Sequence, residues 1–203
     1  MVSELLYKIM KTILVTGGSG FIGSHTCFCL LKNKYKIIVV DSNVNSSKLS
    51  LKRVKKIVDQ KKLPAEEIVF NKGDIRDELF LKNLFTQSAI KGHPIEGVIH
   101  LAGLKSVEES IRNPILYWDN NLCGTLNLLK VMKCFDCKTI VFSSSATIYG
   151  NSQINPIKES FEIKPFNPYG QTKASIELIL ESIFKVSNNE WRIANLRYFN
   201  PIG

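Results

Sequence analysis

A tyrosine and a lysine four residues apart are the side chains of this sequence best suited to acid–base chemistry. Tyr169 and Lys173 follow Asn167 and Pro168, residue types that favour the cap and the first position of a helix. Side chains at this spacing share one helix face, so we expect the ammonium group to lower the pKa of the phenol below about 10. Such a tyrosine can remove a proton from a hydroxyl group, and Ser145 can hydrogen-bond the same hydroxyl. The alternative is an exposed helix pair without a catalytic role.

Three glycines at positions 17, 20 and 23 follow an apolar stretch, Thr12–Thr16. Their spacing, G-x-x-G-x-x-G, is related to the dinucleotide-binding fingerprint. In that fingerprint Gly17 would take the backbone angles of a tight turn, Gly20 would leave room for a pyrophosphate, and Gly23 would let a helix pack against its strand. The N-terminus of that helix would offer unpaired N–H groups to the phosphates. An ordinary glycine-rich turn is the alternative, since the spacing by itself is weak evidence.

A carboxylate follows the glycines at a distance that supports the dinucleotide interpretation. Asp41 ends the apolar stretch Lys36–Asp41 and lies 21 residues after Gly20. Dinucleotide folds place a carboxylate there to accept hydrogen bonds from the adenosine ribose. Because a carboxylate repels a 2′-phosphate, Asp41 favours NAD over NADP. The alternative is an aspartate that caps a turn with Ser42 and Asn43.

The elements that must position these residues alternate along the chain. Helical patterns separate six predicted strands, which are Thr12–Thr16, Lys36–Asp41, Glu67–Phe70, Gly97–Leu101, Lys138–Phe142 and Trp191–Arg197. The alternation predicts an α/β fold, a doubly wound parallel sheet of the Rossmann type that binds ligands at the carboxyl ends of its strands. Asp77 is predicted to cap one helix, and Pro114 to begin a long one. Asn120 and Asn121 interrupt the apolar pattern of that long helix, so we expect polar contacts from within the fold. We expect His100 to be a packed residue rather than a catalyst.

The net charge of +9 and the pI near 9.3 raise the question of a nucleic-acid partner. Much of the excess charge lies between residues 48 and 62, where Leu51, Val54, Ile57 and Val58 recur at helical spacing and leave the lysines on the other face. We favour a solvated helix face, because no aromatic residues alternate with the lysines to stack on bases. We therefore expect no nucleic-acid partner.

Length and cysteine content set further limits. A chain of 203 residues with 44% hydrophobic content predicts one domain with a sizeable core. Five cysteines without a signal peptide predict reduced thiols and a cytoplasmic location, and Cys27 and Cys29 are expected in or near the core. Cys134 and Cys137 form a single C-x-x-C without a second pair, so we expect no metal site. No apolar run approaches the length of a membrane span, and we expect no membrane partner.

Six sequence strings together resemble the extended short-chain dehydrogenase/reductase family, and within it most closely the UDP-glucose 4-epimerases. They are TGGSGFIG at 16–23, HLAGLKSVEES at 100–110, DNNLCGT at 119–125, FSSSATIYG at 142–150, PYGQTK at 168–173 and LRYFNPIG at 196–203. The strings cover almost the whole chain in the family's order, which chance does not produce.

The resemblance implies a bound NAD that stores a hydride and returns it. Tyr169 would remove the proton of a sugar 4-hydroxyl while hydride passes from C4 to the nicotinamide. The 4-keto sugar would then turn over and take the hydride back on its other face, which interconverts UDP-glucose and UDP-galactose in galactose metabolism. Lys173 would hold the nicotinamide ribose and support the phenolate, and Ser145 would assist at the 4-hydroxyl. The family is usually homodimeric.

Matching strings imply further contacts. The residues implied for the cofactor are Gly17, Gly20, Phe21, Ile22, Gly23, Asp41, Asn43, Asn45, Ser46, Asp74, Ile75, Leu101, Ala102, Gly103, Leu104, Lys105, Asn120, Ser143, Tyr169, Lys173 and Phe199. Of these, Phe21 and Ile22 would meet the pyrophosphate, and Asp74 and Ile75 would border the adenine. The residues implied for the nucleotide sugar are Lys105, Ser145, Tyr169 and Asn200.

Related sugar dehydratases carry a threonine followed by acidic residues where this chain has Ser145, Ala146 and Thr147. Because no carboxylate is present there to expel water, the resemblance favours an epimerase.

Family members continue beyond the FNP string into a substrate-binding domain. We therefore expect residues 1–11 to be a short leader and residues 12–203 to be an NAD-binding domain truncated before the substrate domain. Leu196–Asn200 would lie at an exposed sheet edge, and this chain alone would show little turnover. The alternatives are a non-catalytic NAD-binding module and a fragment of a related nucleotide-sugar enzyme. The choice between UDP-hexoses and UDP-N-acetylhexosamines would be made mainly in the substrate domain.

Overall fold

A computed structural model describes residues 11–61, 68–151 and 154–202 of the chain. The strands are β1 (Thr12–Thr16), β2 (Lys36–Asp41), β3 (Ile68–Lys72), β4 (Ile95–His100), β5 (Thr139–Ser145) and β6 (Arg192–Tyr198). They form one sheet in the order β3-β2-β1-β4-β5-β6, and every neighbouring pair is parallel. The predicted doubly wound parallel sheet is confirmed. Residues 1–10 of the predicted leader and Glu67, the predicted start of β3, lie outside the described residues.

The helices connect the strands and cover both faces of the sheet. They are α1 (Phe21–Lys32), α2 (Leu49–Gln60), α3 (Glu78–Ile90), α4 (Val107–Arg112), α5 (Pro114–Tyr117), α6 (Gly124–Cys134) and α7 (Pro168–Val186). Two predicted caps are confirmed, since Asp77 accepts a hydrogen bond from Phe80 N and Asn167 accepts one from Gly170 N. The long helix predicted from Pro114 is divided by a π-helical turn, Trp118–Cys123, between α5 and α6.

Alternate residues of the strands serve two separate cores. Leu14 of β1 packs among buried residues from α3, α6 and α7, whereas Val15 packs with residues of α1 and α2. Burial on both faces explains why these strands are continuous apolar runs.

Two expectations about helix faces were wrong. Ile57 of α2 is 42% exposed although Leu51, Val54 and Val58 are buried, because those three form one stripe and Ile57 projects to its side. Cys29 is exposed while Cys27 of the same helix is buried, because residues two apart point in different directions from a helix.

β6 forms one edge of the sheet and pairs only with β5 among the described strands. Most of its first five side chains are exposed, including Leu196. None of the described helices is long and apolar enough to cross a membrane.

Candidate active site

The turn between β1 and α1 is built so closely that only glycine fits at two positions. Gly17 has a φ of +70°, and a Cβ there would lie 2.6 Å from the backbone nitrogen of Ala102. A Cβ on Gly23 would overlap the carbonyl oxygen of Gly17. The geometry therefore requires Gly17 for the turn and Gly23 for the close approach of α1. Around Gly20 a Cβ would meet only the Gly17 oxygen, at 3.3 Å, so the surface of the turn is open there.

The N-terminus of α1 faces this opening. Gly20 caps the helix without a side-chain hydrogen bond, and the first turn contains no acidic residue. The N–H groups of Phe21 and Ile22, the residues expected to meet a pyrophosphate, are therefore free of a side-chain cap. Uncapped N–H groups together with the helix dipole suit an anionic ligand.

Asp41 connects the glycine turn to the loop that follows β2. Its Oδ2 accepts a hydrogen bond from Ser19 N at 2.9 Å. Its Oδ1 accepts from Asn43 N at 2.9 Å and from the Ser46 hydroxyl at 2.7 Å. Asp41 thus caps the turn that the alternative interpretation named. Each carboxylate oxygen has two lone pairs, so Oδ1 is fully occupied and Oδ2 keeps one lone pair that can accept from a ribose hydroxyl. Asn45 of this loop is exposed.

The segment expected to border an adenine is held by an arginine that the sequence did not single out. Arg76 donates to Asp74 through Nε and Nη2 and to Asp119 through Nη1 at 2.7 Å. The hydrogen bond from Arg76 is the main cause that lowers the pKa of Asp74. Ile75 is buried. An arginine two residues after an aspartate is common, and only the fold brings Asp119 to it.

The segment after β4 lies between the glycine turn and Lys173. Leu104 exchanges two hydrogen bonds with the Asn121 side chain, at 2.8 and 3.0 Å. A Cβ on Gly103 would lie 3.1 Å from Asn121 Oδ1 and 3.7 Å from Lys173 Nζ. Asn121 is buried, and the interrupted apolar pattern predicted polar contacts for it within the fold. The sequence did not predict that its side chain would hydrogen-bond the backbone of Leu104. Asn120 is half-buried and Lys105 is exposed.

Ser145, Tyr169 and Lys173 meet at the carboxyl end of β5. The Ser145 hydroxyl is hydrogen-bonded to the Tyr169 phenol and accepts from Thr147 N at 3.2 Å. Lys173 Nζ donates to the carbonyl oxygen of Ser143 at 2.7 Å and lies 5.9 Å from the centre of the Tyr169 ring. The fold therefore brings together the three side chains proposed for acid–base chemistry.

The prediction that Lys173 lowers the pKa of the Tyr169 phenol was wrong. Burial raises the pKa of Tyr169 above its ordinary value of 10.0, and the hydrogen bond with Ser145 opposes the rise only in part. The Lys173 ammonium is bonded to a carbonyl and not to the phenol. Burial also lowers the pKa of Lys173, and the opposing effect of the Glu177 charge is smaller, so the pKa falls to about 8.

A buried ion pair lies one helical turn beyond Lys173 and was not anticipated. Glu177 is 5% exposed and accepts from Arg197 of β6 at 2.8 Å. Arg197 also donates to the Tyr149 hydroxyl at 2.6 Å. The pair joins α7 to β6, and Arg197 also ties both to the turn after β5 that contains Tyr149.

Phe199 and Asn200 follow the end of β6, where Tyr198 is the register partner of Ser145. Phe199 and Asn200 are exposed, and they lie at the carboxyl end of the strands, as Ser145 does.

The C-x-x-C pair has an exposed Cys134 and a buried Cys137. Within the described ranges no three His, Cys, Asp or Glu side chains are grouped to hold a metal ion.

A sequence model described as GDP-mannose 4,6 dehydratase matches residues 14–203. The chain belongs to this family. One similar protein is UDP-glucose 4-epimerase 2 of Arabidopsis thaliana. It is 46% identical to this chain over 193 residues, which make up 95% of this chain and 53% of the relative.

Solved structures of epimerases share the fold of this family member. The UDP-glucose 4-epimerase from Bifidobacterium longum, in complex with NAD+ and UDP, has a TM-score of 0.84 and 44% identity, and the match covers 95% of this chain and 54% of that chain. The UDP-glucose 4-epimerase from Stenotrophomonas maltophila, with bound NAD and formylated UDP-arabinopyranose, has a TM-score of 0.85 and 38% identity with the same coverage of 95% and 54%. The resemblance to UDP-glucose 4-epimerases is confirmed, and the chain spans about half the length of the relatives it matches.

Proposed function

We propose that this chain supplies the NAD-binding and acid–base residues of a UDP-glucose 4-epimerase. The reaction interconverts UDP-glucose and UDP-galactose through a 4-keto sugar. The observation that carries the proposal is the meeting of Ser145, Tyr169 and Lys173 at the carboxyl edge of the sheet, two strands from the glycine turn. The epimerase names of the similar relatives support it. Because the chain spans about half of those relatives, the proposal concerns the whole protein, with residues 12–203 as one dinucleotide-binding unit.

The residues present fit NAD. The uncapped end of α1 suits the pyrophosphate, and Asp41 suits a ribose with free hydroxyls rather than a 2′-phosphate. Lys173 Nζ lies 3.7 Å from the position of a Cβ on Gly103, in the segment Leu101–Lys105 that is expected to line the cofactor. When bound, NAD supplies a reversible two-electron oxidation at the sugar C4 carbon.

In the proposed reaction Tyr169 accepts the proton of the sugar 4-hydroxyl and later returns a proton to the same oxygen. The Ser145 oxygen accepts twice from Thr147, and its single proton is donated to the phenol; in the proposed reaction that proton is donated to the 4-oxygen instead. Lys173, with a pKa of about 8, is mainly an ammonium at neutral pH and supplies the cation of the site. Since burial raises the pKa of Tyr169, the phenol is protonated until a ligand changes the surroundings of these two residues.

A dehydratase activity is not favoured despite the description of the family. Elimination of water needs an acid beside the reacting carbon. Ser145 is followed by Ala146 and Thr147, and the Thr147 hydroxyl donates to Ser145 at 2.9 Å. Neither residue is a carboxylic acid, which supports epimerisation.

The test is an assay of the purified protein with UDP-galactose and NAD. We expect UDP-glucose to form without net NADH, and calorimetry to show NAD binding. NAD binding without turnover by the whole protein would favour the non-catalytic NAD module, and failure to bind NAD would overturn both interpretations. In the same assay we expect the 203 residues alone to bind NAD with little turnover. UDP-N-acetylgalactosamine in a parallel reaction tests the choice of sugar.

A further inference from the structure

His100 is a buried titratable residue that the proposed reaction does not use. It ends β4 and is 1% exposed. Burial, with a smaller contribution from the charge of Lys173, lowers its pKa to about 3, so the imidazole is neutral at physiological pH. A neutral imidazole has one N–H donor and one acceptor nitrogen, and both need partners in the interior of a protein.

Both ring nitrogens have a threonine partner. His100 Nδ1 lies 2.7 Å from the hydroxyl of Thr16 at the end of β1, and Nε2 lies 2.8 Å from the hydroxyl of Thr125 on α6. Thr125 donates its single proton to the carbonyl oxygen of Asn121 at 2.5 Å. It must therefore accept from His100, which assigns the ring proton to Nε2.

The other end of the arrangement obeys the same proton count. The Thr16 hydroxyl accepts from Ala102 N at 3.3 Å and has its own proton free for His100 Nδ1. The hydrogen bonds thus run in one direction from Ala102 N–H to the Asn121 carbonyl. Each hydroxyl donates once and accepts once, so no proton in the chain is unused.

The two ends of this chain are parts of the candidate site. Ala102 is the residue against which Gly17 packs, since a Cβ on Gly17 would lie 2.6 Å from its nitrogen. At the opposite end, Asn121 lies in the π-helical turn and donates to the Thr172 hydroxyl at 3.2 Å. Thr172 in turn donates to the carbonyl oxygen of Tyr169 at 2.7 Å.

We propose that His100 is a positioning residue that joins the glycine turn to the π-helical turn at Asn121 and so sets the placement of Tyr169 relative to the dinucleotide cradle. In the π-helical turn the Asn121 carbonyl accepts from Gly124 N, and the Thr125 hydroxyl adds a second hydrogen bond to it that ties the turn to His100. The catalytic consequence rests on the proposed function, whereas the hydrogen-bond chain does not.

Thr125→Val tests the proposal, because it keeps the volume of the side chain and removes its hydroxyl. The ring N–H of His100 then loses its partner, and the Asn121 carbonyl loses the hydroxyl while it keeps the bond from Gly124 N. We expect kcat to fall about tenfold with KM unchanged, since the reacting group moves while substrate contacts stay. The matched control is Thr12→Val, a buried threonine of β1 without a side-chain hydrogen bond to another described residue. It should leave kcat unchanged.

A double variant tests the coupling of the two ends. Thr16→Val alone should raise the Kd for NAD. In the double variant Thr16→Val/Thr125→Val, the loss of kcat and of NAD affinity should each be smaller than the product of the losses in the two single variants. If the two ends act independently, the effects of the single variants will multiply in the double variant, and that result would overturn the proposal.

NMR of the protein with ¹⁵N-labelled histidine shows which ring nitrogen of His100 carries the proton, and this measurement does not depend on activity. The chain has three histidines, and His25→Gln and His93→Gln assign the other two. We expect His100 to show a proton on Nε2 at all pH values between about 5 and 9, and its resonance to shift in Thr125→Val. A proton on Nδ1, or titration within that range, would overturn the proposal whether or not the protein proves to be an epimerase. A lower melting temperature with unchanged kcat and unchanged tautomer would also overturn it, since that describes a merely structural residue.

Discussion

The two halves of the sheet build the candidate site in different ways. Around β1–β3 the cradle depends on backbone groups of the glycine turn, as in the bond from Ser19 N to the Asp41 side chain, which spans 22 residues. Around β4–β6 the site consists of side chains from distant segments. Arg197 and Tyr149 are 48 residues apart, and Asn121 and Thr172 are 51 apart. A site made from backbone depends on local turn geometry, whereas a site made from side chains depends on how helices pack on the sheet.

Electrostatics separate the two halves as well. In the second half burial shifts titrating groups, with the pKa of Tyr169 raised and those of Lys173 and His100 lowered to about 8 and about 3. The uncapped N-terminus of α1 belongs to the first half and offers fixed partial charges that do not titrate. We therefore expect changes in the first half to alter cofactor affinity alone, and changes in the second half to alter turnover and the pH dependence of both turnover and cofactor binding.

Tyr169→Phe should give the largest effect and the cleanest separation of the halves. The variant keeps the ring and removes the group that transfers the proton, so we expect kcat to fall about 10³-fold while the Kd for NAD is unchanged. Turnover of UDP-galactose and calorimetry with NAD measure the two quantities. Tyr35→Phe is the control, because Tyr35 precedes β2 and lies at the opposite end of that strand from Asp41. A comparable loss of NAD affinity in Tyr169→Phe would break the division between the halves.

Gly17→Ala should act mainly on the cofactor cradle. Gly17 and Gly92 both have positive φ, +70° and +77°, but a Cβ on Gly92 would meet nothing within 4 Å. Both alanine variants should lose about 1–2 kcal/mol of stability from the left-handed backbone. Only Gly17→Ala should also raise the Kd for NAD, by about 100-fold, because its Cβ displaces Ala102. Equal NAD affinities in the two variants would show that the close approach is unimportant.

Asp41→Asn should have a smaller effect on the same half. The amide keeps the size of the side chain but loses the negative charge and one of the two acceptor groups. We expect the Kd for NAD to rise about tenfold and the preference for NAD over NADP to decrease. Titrations with both cofactors measure this. An unchanged preference would leave Asp41 with the turn-capping role alone.

The pH dependence of NAD binding should give the smallest effect and belongs to the second half. The pKa of Lys173 is about 8, so its ammonium predominates below that pH and is lost above it. We therefore expect NAD affinity to fall several-fold as the pH rises through about 8.

A variant of Glu177 sharpens this test. The charge of Glu177 raises the pKa of Lys173, so Glu177→Gln should move the midpoint to lower pH. Glu181→Gln on the same helix, which removes only an exposed pair with Lys185, should leave the midpoint unchanged. A midpoint that is the same in all three proteins would show that Lys173 does not control binding.

Local patterns in the sequence determined the strands of the sheet, the glycine turn at Gly17 and Gly23, and the caps Asp77 and Asn167. These features depend on residue spacing and backbone conformation, which act over a few residues and leave a pattern in the sequence. The roles predicted for the individual site residues stay predictions.

Only the tertiary structure decided which partner each buried polar group has. The Lys173 ammonium is bonded to the Ser143 carbonyl and leaves the Tyr169 phenol with a raised pKa. His100 is joined to Thr16, 84 residues earlier in the chain, and packing alone makes that contact. Hydrogen-bond partners and pKa shifts depend on distances between segments far apart in sequence, and no residue spacing records those distances.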